Sequence, residues 1–230
     1  MSARWVITCE HGGNDIPGAF APMFYDAEAQ RALDSHRGWD PGALELYHLL
    51  APMADFSHAA TVSRLLVELN RSLHHPELFS KFTGGLSDKE KALVLEKYYT
   101  PYRKKVESAI KQFIEEGHKV YHLSIHSFTP VLAGKVRNAD IGLLYDPARQ
   151  LEKDLCNYWK SIFQKLIPEV RLRFNYPYKG TDDGFTTYLR TQFTVHYAGI
   201  EFELNQEWAN DQQANDIIYR SVKELKQLNI

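Results

Sequence analysis

Short apolar, β-branched runs alternate along this chain with stretches of helical pattern, and several of those runs end abruptly in polar side chains. The first, Val6-Ile7-Thr8-Cys9, passes straight into Glu10-His11 and then Gly12-Gly13. A core strand that hands an acid and an imidazole to a glycine turn has the form of a strand end in an open α/β sheet, where ligands bind at the C-terminal ends of the strands. His11 is thereby a site candidate before any other residue is read.

The same form recurs downstream. "TVSRLLVEL", residues 61–69, reads as a second strand, and it ends in Asn70-Arg71. "KVYHLSIHSFTP", residues 119–130, reads as a third; a period of two puts Val120, His122, Ser124 and His126 on one face and Tyr121, Leu123 and Ile125 on the other. Residues 140–145 and 170–176 are shorter strand candidates. "GIEFELNQ", residues 199–206, is the last, with Glu201 and Glu203 on one face and Ile200, Phe202 and Leu204 on the other.

Helical signals fill the intervals. Asp40-Pro41 reads as the N-cap and first position of a helix through Leu50, and Ser87 with Glu90 as a capping box. That box heads a long helix divided near Pro101 and stopped by Gly117. Asp146-Pro147 heads a helix to about Leu166, and a final helix runs from about Trp208 to Leu228. "GTDDGFTTYLRTQF", with Gly180 and Gly184, reads as a polar loop. The alternation predicts an α/β sandwich with a mixed, largely parallel sheet, in a single domain over residues 1–230.

Composition narrows the partner. A formal net charge of −2 offers no basic field for a phosphate backbone, so a nucleic-acid partner is not expected. No apolar run is long enough for a membrane span, and two cysteines are too few for a disulfide framework. With no leader pattern at the N-terminus, a cytoplasmic protein with a small-molecule partner is expected. Cys9 neighbours His11 in sequence, but adjacent strand side chains point to opposite faces, so it reads as a core thiol.

His11, His126, Asn70-Arg71 and the Glu201/Glu203 pair all fall at strand ends. Imidazoles beside a free carboxylate suit a catalytic zinc site, in which protein ligands leave a position for water and a carboxylate takes the water's proton. A guanidinium adds bidentate grip on a substrate carboxylate. Singly, each feature has a plainer reading: a hydrogen-bonded histidine, a turn arginine, the wet face of an edge strand.

Six segments in order, "TCEHGGNDIP", "SHRGWDPGA", "SRLLVELNRS", "LSIHSFTP", "DIGLLYD" and "EFELNQ", resemble the N-formylglutamate amidohydrolase family along nearly the whole chain. More distantly the pattern is similar to zinc carboxypeptidases, aspartoacylase and succinylglutamate desuccinylase. The resemblance implies a phosphorylase/hydrolase-like, zinc carboxypeptidase-like three-layer sandwich holding one zinc ion. It implies hydrolysis of a short N-acyl group, formyl first, from an acidic amino acid such as glutamate. It makes His11 and His126 metal ligands, Glu203 the catalytic base, and Asn70 and Arg71 the holders of a substrate carboxylate. Beside these, Arg64 and Arg137 are expected as helpers, and Arg190, in the glycine-flanked loop, as a clamp for a second carboxylate or a lid residue.

The distant relatives draw two ligands from a His-x-x-Glu pair, whereas Asn14 stands three residues after His11. The third ligand is then expected from "DSHRGWD": His36 is favoured, Asn14 through its carbonyl oxygen or Asp34 are the alternatives, and Asp40 is assigned to the helix cap. His122 is a possible orienting group. Related readings keep the metal and change the substrate to another N-acyl amino acid or small peptide. A reading of a different class is a non-catalytic metal or small-acid binder, which needs no base at Glu203.

Overall fold

The computed structural model describes residues 1–227. In chain order its elements are β1 (Ala3–Cys9), α1 (Ala27–Leu33), α2 (Ala43–Leu50), β2 (Phe56–Ala59), α3 (Asp88–Val94), α4 (Thr100–Glu115) and β3 (Lys119–Phe128). There follow β4 (Val131–Leu132), β5 (Lys135–Val136), β6 (Ile141–Leu144), α5 (Gln150–Leu166), β7 (Leu172–Phe174), α6 (Phe185–Gln192), β8 (Tyr197–Asn205) and α7 (Gln212–Gln227). A six-stranded sheet runs β2-β1-β3-β8-β6-β7, with β4 and β5 forming a separate antiparallel hairpin. Every sheet pairing is parallel except β6 with β8. The expected mixed, largely parallel sheet between helical layers is therefore what the chain forms.

Period-two alternation decides which residues meet which layer. Trp5, Ile7 and Cys9 on β1, Tyr121, Leu123 and Ile125 on β3, and Ile200, Phe202 and Leu204 on β8 enter one core with Leu46 of α2, Trp159 and Phe163 of α5, and Ile218 and Val222 of α7. The opposite face carries Val6, Val120 and Tyr197 against Tyr102, Val106 and Ile110 of α4 and Phe185 and Leu189 of α6. Cys9 is a fully buried member of the first core, as its strand parity requires.

Several local expectations meet their outcome here. The capping box holds: Ser87 N–H donates to Glu90 Oε2 at 2.8 Å, and Glu90 N–H to Ser87 Oγ at 3.4 Å. Pro101 lies in the first turn of α4, directly after one π-helical stretch, Leu95–Tyr99, whose wider turn joins α3 to α4. Gly117 follows α4 at φ +85°, the left-handed stop that glycine permits. The helix cap at Asp40 does not form: α2 starts after Gly42 at φ +83°, with no side-chain cap. The expected end of the last helix at Leu228 lies outside the described residues.

Residues 61–69 are not a strand. Their backbone groups are taken by loops, with Ser63 N–H on Asp15 O at 2.9 Å and Arg64 N–H on Gly38 O at 3.2 Å. The apolar side chains that mimic a strand pattern instead plug two cores, Leu65 in one and Leu66, Val67 and Leu69 in the other. Nor is residues 180–193 wholly loop, because it contains α6, which buries Phe185 and Leu189 one turn apart.

The helix also corrects the expected role of Arg190. Its guanidinium points into the protein, donating to Glu152 Oε1 at 2.9 Å and to Gly199 O at 2.8 Å. Both side chains are buried, and Glu152 also accepts from Asp146 N–H at 2.8 Å and Gly199 N–H at 3.1 Å. Arg190 is thus a strut between α5, α6 and β8, neither clamp nor lid. Arg149 Nε also lies 3.3 Å from Glu152 Oε1, so removing Arg190 leaves the buried carboxylate with one cation and a lost hydrogen bond. Urea unfolding of Arg190→Met is expected to lose about 1–3 kcal/mol of stability, and Arg190→Met with Glu152→Gln is expected to regain part of it.

Candidate metal and active site

Parallel registry sets the site. Thr8 pairs with Ser124, Ser124 with Glu201, and His126 with Glu203, so the polar side chains of β1, β3 and β8 share the face that also packs α4 and α6. Beyond Cys9 the chain leaves the strand and turns: Gly12 N–H donates to Ala60 O at 3.0 Å. A Cβ at Gly13 would fall 2.6 Å from Thr61 O, so the turn lies too close to its neighbour for any side chain. The turn swings His11 over β3, with its ring centroid 5.0 Å from that of His126. Asp40 joins from the approach to α2, anchored by its N–H on His11 O at 2.9 Å.

These three converge. His11 Nδ1 and His126 Nδ1 lie 3.2 Å apart, and Asp40 Oδ2 is 3.3 Å from the first and 2.9 Å from the second. Tetrahedral zinc with bonds of roughly 2.0–2.1 Å to such donors separates them by about 3.3 Å. The triangle therefore fits one small divalent cation, and His11, Asp40 and His126 are the grouped candidate ligands among the described residues. All three are buried.

Charge balance fits as well. Burial opposes ionisation of Asp40, yet contacts with His11, His126 and Arg64 hold its carboxyl well below the ordinary range. Glu10 and Glu68 behave alike: burial opposes their charge, while His126 and Ser124 around Glu10, and Arg64 and His11 around Glu68, keep both ionised. With neutral imidazoles, these three carboxylates exceed the single guanidinium of Arg64 by two charges, the amount a divalent cation supplies. Burial also disfavours the charged form of His126, but Asp40 and Glu10 outweigh it and raise its pKa well above the imidazole norm. Protons and a cation compete for this centre.

Glu203 faces the same cleft, 5% exposed, and its Oε2 has no hydrogen-bond partner among the described residues. Burial pushes its carboxyl up to about 7, the poise suited to a group that exchanges protons near neutrality. Glu201 points to the same face but is engaged by the Thr186 hydroxyl at 2.7 Å.

The other expected residues divide. His36 lines the rim but is exposed and outside the converging trio; Asp40 stands in the place expected of it. Asn14 and Asp34 bond to each other at 3.5 Å, and Asn14 also donates to Leu33 O at 3.0 Å, so neither reaches the cleft. Asn70 lines the cleft while its Oδ1 accepts from Phe185 N–H at 2.6 Å, holding the start of α6. Arg71 is steered by the Asp183 carbonyl and lines the cleft. Arg137 also lines the cleft, stacked 5.1 Å over Tyr178 and donating to its hydroxyl at 3.1 Å. Arg64 lines the cleft too, but its guanidinium bridges Asp40 Oδ1 at 3.2 Å and Glu68 Oε2 at 2.7 Å. His122 is a core residue between Thr8 Oγ1 and the Tyr197 hydroxyl, both at 2.8 Å, and burial lowers its pKa to about 4.

Sequence reasoning missed Asp40, Glu10 and Glu68. Glu68 carried a usable signal, since a lone acid inside the apolar run "LLVEL" must find a partner when buried.

Comparison with known proteins gives a consistent result. The family model described as N-formylglutamate amidohydrolase matches residues 3–207. No curated protein matches the chain. Among solved structures, the gene product Atu2144 from Agrobacterium tumefaciens superposes with a TM-score of 0.82 at 24% identity, covering 97% of this chain and 89% of that one. N-formylglutamate amidohydrolase from Ralstonia eutropha JMP134 superposes with a TM-score of 0.66 at 17% identity, covering 98% and 92%. At these identities the two structures establish the shared fold.

The choice between Asp40 and His36 is open to measurement. In a zinc titration, Asp40→Ala is expected to weaken binding by more than about 100-fold, beyond what an outer hydrogen-bond partner contributes. His36→Ala is expected to bind zinc like the parent; the reverse result assigns the ligand to His36.

Proposed function

The chain belongs to the N-formylglutamate amidohydrolase family and is a hydrolytic enzyme, and from that premise we propose that it removes a short N-acyl group, formyl foremost, from an acidic amino acid such as glutamate. The observation that carries the reading is Glu203 Oε2, a buried carboxylate oxygen without a partner among the described residues, in the cleft that also holds His11, Asp40 and His126. A module that only binds a metal or an acid has no use for it.

In this proposal His11, Asp40 and His126 hold one divalent ion, zinc being the best match to two imidazoles and a carboxylate. When bound, such an ion supplies Lewis acidity toward water and an acyl carbonyl. Glu203 takes a proton from the attacking water and returns it to the leaving amine, the two halves of amide hydrolysis. Arg71 and Arg137, both lining the cleft, grip carboxylates of the amino acid, and Asn70 lines it with them. Holding the substrate at both ends fixes the acyl carbon for attack, so the clamps contribute to turnover as well as to binding.

Release of free amine from N-formyl, N-acetyl and N-succinyl amino acids by the zinc-loaded protein tests the reading, with the N-formyl acidic substrates expected to be cleaved fastest. Absence of amine release across the whole series overturns it. Glu203→Gln is expected to keep metal and substrate affinity while kcat falls by about 100-fold or more. Arg71→Lys preserves charge but loses the planar fork, so KM for an acidic substrate is expected to rise with zinc still bound. A neutral N-acyl amino acid cleaved as well as the glutamate derivative removes the side-chain clamp from the proposal.

A further inference from the structure

Two carboxylates that belong neither to the donor trio nor to the substrate clamp stand directly behind the two histidines. Glu68 Oε1 meets His11 Nε2, and Glu10 Oε2 lies 3.2 Å from His126 Nε2. We infer that Glu68 and Glu10 are positioning residues of the metal centre, each fixing one imidazole so that both Nδ1 atoms face inward beside Asp40. The inference rests on the reading of His11, Asp40 and His126 as the donor set.

The chemistry is set by what each group can donate. An ionised carboxylate only accepts hydrogen bonds, so the ring nitrogen facing it carries the hydrogen and the other ring nitrogen keeps its lone pair. Ser124 closes the alternative at His126. Its hydroxyl donates to Glu10, leaving its oxygen, 2.9 Å from His126 Nε2, to accept. Both rings are thereby driven to the Nε2–H tautomer, with Nδ1 open toward the centre.

Neither carboxylate is free to swing away. Glu10 is fully buried and accepts from the Tyr102 hydroxyl at 2.8 Å as well as from Ser124. Glu68 is 6% exposed and accepts from Asn70 N–H at 3.0 Å and from Arg64 Nε at 2.7 Å. Arg64 in turn reaches Asp40 Oδ1 at 3.2 Å, leaving Asp40 Oδ2 to the two histidines. Glu10 follows β1 and Glu68 comes from the loop over residues 61–69, so two separate segments provide the same device, one per ring.

Nitrogen-15 NMR of the zinc-loaded parent protein is the first test, with long-range correlations expected to show hydrogen on Nε2 of both His11 and His126. Hydrogen on Nδ1 of either ring overturns the inference without any variant. Competition against a chromophoric chelator is the second. Glu68→Gln and Glu10→Gln are each expected to weaken zinc binding by about 10–100-fold at unchanged 1:1 stoichiometry, and to shift the visible absorption of the cobalt-substituted protein. Parent-like zinc affinity in the folded variants assigns the carboxylates to fold stability alone and overturns the inference. A parent protein that binds no zinc overturns the donor-set reading itself, a result distinct from either of these.

Discussion

Parallel pairing of β1, β3 and β8 in one register is the constraint on which the site depends. Because side chains alternate along a strand, the register that matches Thr8 to Ser124 and His126 to Glu203 sends Ile7, Ile125 and Phe202 to one core and Thr8, His126 and Glu203 to the other face, beyond the apolar start that Val6, Val120 and Tyr197 give it. A slip of one residue in β8 would bury Glu203 among Trp159 and Phe163 and turn Phe202 toward the cleft. The large aromatic core, with Trp159 and Phe202 5.1 Å apart, therefore does more than stabilise the sheet; it fixes which carboxylate faces the histidines.

The strands and their chemistry were legible because period two is local. His126, Glu201 and Glu203 could be placed on a face from the sequence alone, and the structure has them there. Glu10 keeps the face of Val6 and Thr8 but escaped because its partners, Ser124 and His126, are remote in sequence, while His11 reaches the same centre only because the backbone turns after Cys9. Asp40 escaped because an acid before proline and a helix reads as a cap, and only tertiary contact shows its oxygen beside two imidazoles. Residues 61–69 escaped because apolar plugs in a loop carry the same composition as a strand. Arg190 in turn read as surface because nothing local reveals the burial of α6.

The centre concentrates charge where water is scarce, and that is costly unless each charge is matched. Glu10, Asp40 and Glu68 are matched through a continuous set of contacts that includes Tyr102, Ser124, both histidines and Arg64. Glu203 stands outside this set, and its raised pKa is the electrostatic signature of that isolation. Carboxylates in one small volume thus separate into those held ionised by partners and one left able to change its proton state, a division of environment rather than of residue type.

The reversal of β6 against β8 has a further consequence. Since β6 starts opposite Leu204, near the end of β8, the chain between β3 and β6 must double back beside the cleft, and it brings Arg137 to the cleft wall at the foot of the β4–β5 hairpin. That hairpin turns through Ala133 and Gly134 at positive φ and leaves Val131, Leu132 and Val136 exposed. Insertions or replacements there meet solvent and not a packed core. Evolution can therefore re-cut this wall of the cleft within one surface excursion, at no expense to the histidines, and descendants of a common ancestor can diverge in the shape of the cleft while inheriting an unaltered histidine cluster.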